Sequence, residues 1–203
     1  MKNFLKLSAL LVTFILFAFI PNNEKIKVVI DAGHGGTDFG ATQYELTEKE
    51  IVAEISQKIK NLNNNENIEI HFTRNDDKMM TLQERVDFIK NINPDVVISL
   101  HTNASKNIGT YGMECFVSDK ESTHTKSNEY AEKLLTEFTS KMNLKSRGVN
   151  KAPFFILKKT EVPAIIVELG FLSNDNDRAY LSDRDKQIEM AQTILNFISS
   201  IKK

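Results

Sequence analysis

The sequence of 203 residues predicts a single α/β domain, with a largely parallel, twisted sheet flanked by helices. Two observations lead to this fold class. Short apolar segments alternate with amphipathic helical segments along the chain, which is the pattern of parallel strands joined by crossover helices. No long linker, internal repeat or low-complexity segment interrupts the alternation. A second domain is therefore not expected.

Short apolar runs predict the strands. The run at 95–100, DVVISL, is apolar on both faces, as expected of a strand in the centre of a parallel sheet. The segment 143–153, NLKSRGVNKAP, is interpreted as a loop that leads to an edge strand at 154–158, FFILK. The other predicted strands are 25–30, 67–73, 112–118 and 163–170.

Apolar residues with a helical period predict the helices. Thr47 with Glu50, and Thr81 with Glu84, have the spacing of a capping box, which predicts that helices begin at these threonines. The last helix is expected to bury one face that includes Ile188. The predicted helices are 47–62, 81–91, 126–142 and roughly 185–201.

The composition excludes several classes of protein. The chain has 26 Lys and Arg residues against 27 Asp and Glu residues, a formal net charge of −1. No bulk field would therefore draw it to nucleic acid, and no nucleic-acid partner is expected. Cys115 is the single cysteine, which excludes an intramolecular disulfide and a cysteine-rich zinc site. Any metal would need histidine and carboxylate ligands.

Residues 1–21 are expected to be a signal peptide or an N-terminal anchor. Lys2 and Lys6 precede an apolar run at 7–20 that is shorter than the ~20 residues of a membrane-spanning helix. Ile20 is bulky where a cleavage site usually has a small residue, so removal of the leader stays open. The chain is expected to be exported to the periplasm or cell envelope, and to meet a membrane only through an uncleaved leader.

Three apolar strands end in residues that carry chemistry. His34 follows the first strand in VVIDAGHGG, His101 continues the central strand in ISLHTN, and Glu168 lies in IIVELG. Ligands of open α/β sheets bind beyond the carboxyl ends of the strands, so these side chains are expected at one rim if the strands are parallel neighbours. Glu48, in the first turn of the first predicted helix, can fold back over the same rim.

Each of these residues also has a purely structural explanation. His34 could be a turn residue, His101 a hydrogen-bonded core histidine, and Glu48 a charge that complements the helix dipole. Glu168 is harder to explain in this way, because an ionised carboxylate in a buried strand must be paired, coordinated or shifted in pKa. The remaining histidines, His71 and His124, are interpreted as structural or surface residues.

Two histidines and a carboxylate are the ligands of a catalytic zinc site whose fourth position belongs to water. On this scheme His34, Glu48 and His101 hold one zinc ion. Glu168 then takes a proton from the water and passes it to a leaving nitrogen. The same ligands suit non-haem iron, but that chemistry usually occurs on a β-barrel, which the alternating pattern does not support.

Five ordered blocks resemble the zinc-dependent N-acetylmuramoyl-L-alanine amidases of the amidase_3 type. They are VVIDAGHGGTDFGA, EKEI, FTRNDD…TLQERVDFIKN, DVVISLHTNAS and RGV…PAIIVELGFLSN. The resemblance implies a phosphorylase/hydrolase-like fold, with 25–203 as the catalytic domain. It also implies hydrolysis of the amide between N-acetylmuramoyl and L-alanine in peptidoglycan, in cell-wall turnover or cell separation. By motif, the family's zinc ligands fall on His34, Glu48 and His101, and its catalytic glutamate falls on Glu168.

The resemblance leaves several points open. Asn103 and Arg147 lie in matching blocks, and they could support the ligands or contact substrate; Arg147 could equally form a structural ion pair. Some members insert a helix that blocks the zinc, but 102–167 shows no spare segment, so the free enzyme is expected not to block itself. The expected partners are the peptidoglycan substrate and an activator or divisome protein. A metallopeptidase and a catalytically inactive wall-binding module remain alternatives.

Overall fold

A six-stranded sheet forms the centre of the protein in a computed structural model that describes residues 24–119, 121–142 and 144–201. The predicted leader, 1–21, lies outside these residues. The sheet has the order β4-β1-β5-β8-β6-β7. Its strands are β1 (Ile26–Ala32), β4 (Ile68–Phe72), β5 (Val96–Asn103), β6 (Met113–Val117), β7 (Ser146–Lys151) and β8 (Ala164–Phe171), and a small hairpin is formed by β2 (Thr42–Gln43) and β3 (Leu46–Thr47).

The sheet is mostly parallel, as the sequence predicts. Strands β4, β1, β5 and β8 are all parallel neighbours, and β6 is parallel to β7. The exception is β6, which runs antiparallel to β8. Strand β5 lies between β1 and β8, and its apolar residues are buried on both faces, which explains its continuous hydrophobic run.

Helices cover both faces of the sheet. One face packs against α1 (Glu48–Leu62), α3 (Glu121–Met142) and α6 (Arg184–Ser199) around the larger apolar core. The other face packs against α2 (Leu82–Ile92) and the short α4 (Phe155–Lys159) around a smaller core. Helix α5 (Asp175–Ser182) follows β8. Within the described ranges, no helix has both the length and the apolar character needed to cross a membrane.

The first two predicted helix starts are correct. The Thr81 hydroxyl accepts a hydrogen bond from the Glu84 backbone N–H, and the Glu84 carboxylate accepts one from the Thr81 backbone N–H, which completes the predicted capping box at α2. At α1 the Thr47 side chain accepts a bond from the Glu50 backbone N–H. These caps matter for the site because both helices begin at its rim.

The prediction of an edge strand at 154–158 is wrong. These residues lie at the start of and within helix α4, and the edge strand is instead Ser146–Lys151, inside the segment interpreted as a loop. Phe154–Lys158 is too short for a period of two to be distinguished from a period of 3.6. The prediction that Ile188 is buried is also wrong, since it is 37% exposed. Helix α5 was not predicted.

Candidate metal centre and active site

The carboxyl ends of β1, β5 and β8 meet at one edge of the sheet. His34 lies two residues beyond the end of β1, His101 lies in β5, and Glu168 lies in β8. His101 and Glu168 are register partners on adjacent parallel strands, so their side chains leave the same face of the sheet. Three segments far apart in sequence thus bring these side chains to the same edge.

Glu48 joins the two imidazoles. Its Oε1 lies 3.1 Å from Nε2 of His34 and 2.8 Å from Nδ1 of His101. Backbone N–H groups hold the carboxylate in place, with Thr102 donating to Oε1 and Ala41 donating to Oε2. One ligand atom from each of His34, Glu48 and His101 lies within 4.8 Å of the others, close enough to share a single ion.

His34 has an unusual backbone conformation. Its φ is 58°, in the left-handed region that few residues with a Cβ adopt. The next two residues, Gly35 and Gly36, also have positive φ, so the loop turns sharply after β1. The Asp38 carboxylate lies 2.8 Å from Nδ1 of His34, which orients the ring so that Nε2 faces Glu48.

Two buried arginines donate hydrogen bonds to the backbone at the end of β1 and in the loop that follows it. Arg74 donates to the carbonyls of Ala32 and Gly33, at 3.0 and 2.9 Å. Arg85 donates to the carbonyls of Ala32 and His34, at 2.8 and 2.7 Å. Three successive carbonyls are therefore fixed by guanidinium groups. Neither arginine was singled out from the sequence, although both lie in the block that contains FTRNDD and TLQERVDF.

Asp31 balances the charge of Arg85 beneath the site. Its two carboxylate oxygens accept hydrogen bonds from Arg85, Thr73 and Ser99. Burial alone would raise the pKa of Asp31, but the Arg85 charge and the hydroxyl hydrogen bonds outweigh it, and the pKa is lowered from its ordinary value. The arginine that supports the His34 loop is thus held in a buried ion pair.

Two glycines are required by the close packing around the ligands. A Cβ on Gly33 would lie 2.7 Å from Nδ1 and 2.8 Å from Nε2 of His101, closer than side chains can approach. A Cβ on Gly40 would lie 2.6 Å from Cδ2 of His34 and would collide with the Glu48 carboxylate. The glycines thus give the ligand side chains the room to converge.

The electrostatics of the group formed by His34, Glu48 and His101 favour a positive charge. Burial would lower the pKa of His34, but its contacts with Glu48 and Asp38 raise it to about 9. Burial would raise the pKa of Glu48, but hydrogen bonds with His101 and His34 lower it to about 2. A site that stabilises a proton on an imidazole and an ionised carboxylate can also hold a cation there. Two imidazole nitrogens and one carboxylate oxygen fit zinc in number and type.

Glu168 is a partly buried acid beside this group. Among the described residues, no partner forms a hydrogen bond with its Oε2, which is buried. Burial raises the pKa of Glu168 to about 7, since the attraction of His101 only partly offsets the loss of solvent. A carboxylate whose pKa lies near neutrality can both accept and return a proton.

A polar cluster adjoins Glu168 on the next strand. Glu114 of β6 is the register partner of Glu168, and its carboxylate accepts hydrogen bonds from the side-chain amides of Asn103 and Asn150, at 3.1 and 3.3 Å. Nε of Arg147 lies 3.6 Å from Oε2 of Glu114, so Arg147 does form an ion pair. Glu114 interrupts the apolar run of β6, a signal from which a buried charge could have been predicted, but its place beside Glu168 depends on the strand register.

A cavity of about 280 Å³ opens beside the ligands, on the face covered by α2 and α4. His34, His101 and Glu168 line one side of it. Its other walls are mostly apolar side chains, which include Met79, Met80, Leu82, Phe154, Phe155 and Ile156. A group that enters this cavity would therefore lie next to the three polar side chains.

The other two histidines lie outside this group. Nε2 of His71 is 2.8 Å from the Glu69 carboxylate, and Nδ1 of His124 is 2.8 Å from the Ser118 carbonyl. Neither belongs to the metal-ligand group found among the described residues. Their interpretation as structural or surface residues agrees with these contacts.

The protein is thus an α/β domain with a group of side chains at the carboxyl edge of its sheet that could hold a metal ion, an arrangement suited to a hydrolase. The family follows from comparison with known proteins. The model of the family Amidase_3, described as N-acetylmuramoyl-L-alanine amidase, matches residues 28–200. The chain belongs to this family.

Individual relatives agree with the family. The chain is 31% identical to the uncharacterized protein YqiI of Bacillus subtilis over 87% of its own length and 85% of YqiI. It is 30% identical to the probable cell wall amidase LytH of Staphylococcus epidermidis, over 83% of the chain but only 56% of LytH. The catalytic domain of the amidase CwlV from Bacillus (Paenibacillus) polymyxa superposes with a TM-score of 0.79, at 32% identity, over 86% of this chain and 96% of that domain.

Proposed function

We propose that this protein is a zinc-dependent amidase that cleaves the bond between N-acetylmuramoyl and L-alanine in peptidoglycan, in cell-wall turnover or cell separation. The observation that carries the proposal is the group of His34, Glu48 and His101, with Glu168 as the register partner of His101. Membership in the N-acetylmuramoyl-L-alanine amidase family supplies the bond and the substrate class.

His34, Glu48 and His101 would bind the zinc ion, with Asp38 orienting His34 and the Thr102 and Ala41 N–H groups orienting Glu48. When bound, zinc polarises the amide carbonyl and makes a water molecule more acidic.

Glu168 would be the general base and then the general acid. Its pKa of about 7 suits the removal of a proton from water at neutral pH and the return of that proton to the amide nitrogen as the bond breaks. The amine must be protonated to leave, so the same side chain serves both steps.

The predicted leader and the names of the relatives support a place of action in the cell envelope. We propose that residues 1–21 export or anchor the chain and that 25–203 form the catalytic domain, which acts in the periplasm or elsewhere in the cell envelope. The name of LytH, a probable cell wall amidase, supports action at the wall. The apolar run at 7–20 supports export.

The decisive experiment identifies the products released from purified peptidoglycan by the full chain. Mass analysis should find muramoyl groups with free lactyl carboxylates, and peptides that begin with a free L-alanine amino group. A chelator should abolish the release, and added zinc should restore it. Peptides cut at another bond would favour the metallopeptidase alternative, and binding without any cleavage would favour a wall-binding module.

The assigned base is tested by Glu168→Gln. The variant should bind zinc and fold normally but should lose about 10²- to 10⁴-fold in kcat, as expected for loss of a general base. Glu161→Gln is the matched control, since Glu161 is exposed and precedes the opposite end of β8. Hydrolysis by Glu168→Gln at the rate of the control would remove Glu168 from the mechanism.

The free enzyme is proposed to need no activator to open its site. The side chains of His34 and His101 are 24% and 22% exposed, so the described residues do not seal them from solvent. Purified protein should therefore cleave peptidoglycan without cell extract. Activity that appears only with extract would contradict this and would favour an activator or divisome partner.

A further inference from the structure

Arg147 is aimed by a bulge in the edge strand β7. Met113 and Cys115 of β6 pair with Ser146 and Val149 of β7. One residue of β6, Glu114, therefore faces two residues of β7, Arg147 and Gly148. Gly148 has a φ of 85°, which suits the extra residue of a bulge. Bulges of this kind redirect a side chain beside an active site.

The guanidinium of Arg147 is held on one side and free on the other. Nε faces Glu114 at 3.6 Å, and the guanidinium carbon lies 5.0 Å from the centre of the Phe171 ring. Among the described residues, no hydrogen bond is made by its two terminal nitrogens, and the side chain is 32% exposed. Two parallel N–H donors in this state match the two oxygens of a carboxylate.

A chain of neighbouring residues links this guanidinium to Glu168 and His101. Glu114, which Arg147 contacts, is the register partner of Glu168, and Glu168 is in turn the register partner of His101. The other flank of the site has a different character. The cavity there is mostly apolar, and the one guanidinium among its described lining residues, Arg85, is buried against Asp31. An anionic group of a substrate would thus lie on the β7 flank.

We propose that Arg147 binds a carboxylate on the peptide portion of the substrate and so sets the direction in which the substrate crosses the site. The inference rests on the proposed amidase function. The expected ligand is the α-carboxylate of an acidic residue that follows L-alanine, which would be held by the two terminal nitrogens of Arg147. The muramoyl side of the scissile bond then extends toward the apolar cavity.

The test uses two synthetic muramoyl dipeptides that differ at one group. Both contain L-alanine followed by D-glutamate, whose α-carboxylate is free in one and amidated in the other. The measured quantity is the ratio of kcat/KM for the acid to kcat/KM for the amide. We expect wild-type protein to prefer the acid and Arg147→Gln to lower the ratio about tenfold or more, mainly through KM. Arg147→Lys should retain part of the preference, because lysine keeps the positive charge but lacks the two parallel N–H donors of a guanidinium.

Lys145→Gln is the matched control, because Lys145 is exposed and only two residues away but stacks on Tyr111. It should leave the ratio unchanged. A wild-type ratio near one, an unchanged ratio in Arg147→Gln, or an equal fall in both variants would overturn the inference while the amidase function stands. Failure of wild-type protein to release either dipeptide, or peptide from peptidoglycan, would overturn the proposed function and this inference with it.

Discussion

At the scale of single residues, the site depends on how closely the backbone of Gly33 approaches His101. The sequence suggested this reading, because an imidazole among glycines is unusual for a core histidine and leaves space for a ligand. The structure adds a second reason for a glycine: Gly33 faces the ring of His101 rather than the substrate. The neighbour that requires this glycine lies 68 residues away, so the sequence alone does not reveal it.

Gly33→Ala should weaken zinc binding by about 10- to 100-fold, the range seen when groups around a metal ligand are disturbed. The added methyl group must displace the His101 ring, because the ring atoms lie less than 3 Å from the position of the new Cβ. The backbone of Gly33 does not have positive φ, so strain of the main chain does not confuse the result. Competition of the metal-free protein with a zinc-sensitive dye measures the affinity.

Gly109→Ala is the control for this substitution. The nearest atom to a Cβ there is the flexible Asn107 side-chain oxygen at 3.1 Å, away from the ligands. Its zinc affinity should equal that of wild type. If Gly33→Ala bound zinc as tightly as Gly109→Ala, the position of the His101 ring would not matter for binding.

Some residues that orient the site were not predicted from the sequence, and the reason is physical. His34, His101 and Glu168 were selected as candidates because polar residues at the ends of apolar strands are conspicuous. Asp38 orients His34 through a contact that is set by the loop conformation. Glu114 does interrupt the apolar run of β6, but its contact with Asn103 and its place beside Glu168 depend on the strand register. Patterns along the chain therefore locate the ligands better than the groups that orient them.

At the scale of elements, the amphipathic helices, the buried strands and the edge strand β4 were predicted well, but the edge strand β7 and the short helices α4 and α5 were not. Strand β7 has the polar sequence SRGVNK, because an edge strand beside solvent has little surface to bury. Helix α4 carries the apolar FILKK and packs on the smaller core. Apolarity thus predicts burial in both cases. It fails to distinguish a short helix from a short strand.

Arg85 joins helix α2 to the end of β1 and the loop after it, so its replacement should have two effects. Arg85→Met should destabilise the protein by about 3–5 kcal/mol, because it leaves Asp31 charged, buried and without its main partner. It should also lower zinc affinity, because the His34 carbonyl loses its donor. Urea unfolding and zinc competition measure the two effects separately.

The double variant Asp31→Ala, Arg85→Met provides the control. It should regain part of the stability, since the unpaired charge is gone, but its zinc affinity should stay low. The pKa of Asp31 lies below its ordinary 3.8, so the pair stabilises the fold above that pH and the contribution is lost as the pH falls. The difference in the free energy of unfolding between wild type and Arg85→Met should therefore become smaller from pH 7 to pH 3. A difference that does not change with pH would mean that loss of the Asp31–Arg85 ion pair is not the cause of the destabilisation.

At the scale of the whole molecule, the topology does most of the work of assembling the site. Parallel neighbours necessarily end at the same edge, so the order β1-β5-β8 brings together residues 34, 101 and 168 without any local motif that joins them. The sequence predicted this convergence conditionally, on the assumption that the strands are neighbours. The one antiparallel pair of the described six-stranded sheet, β6 with β8, was not predicted, and it is the pair that places Glu114 beside Glu168.

The candidate ligands come from β5, the loop after β1 and helix α1, which are far apart in the sequence. A bound ion would link these three segments, so metal binding should stabilise the whole fold. Zinc at about 100 times its Kd should add about 2.7 kcal/mol and raise the Tm of chelator-treated protein by about 5–10 °C. Mg²⁺ at the same concentration should have no such effect, because it prefers an octahedral set of oxygen ligands. In His101→Ala the rise with zinc should disappear, while His71→Ala, whose histidine lies against Glu69 and outside this group, should keep it. An equal rise in His101→Ala and wild type would show that zinc stabilises the fold from another site, and the assignment of His34, Glu48 and His101 as one metal centre would then fail.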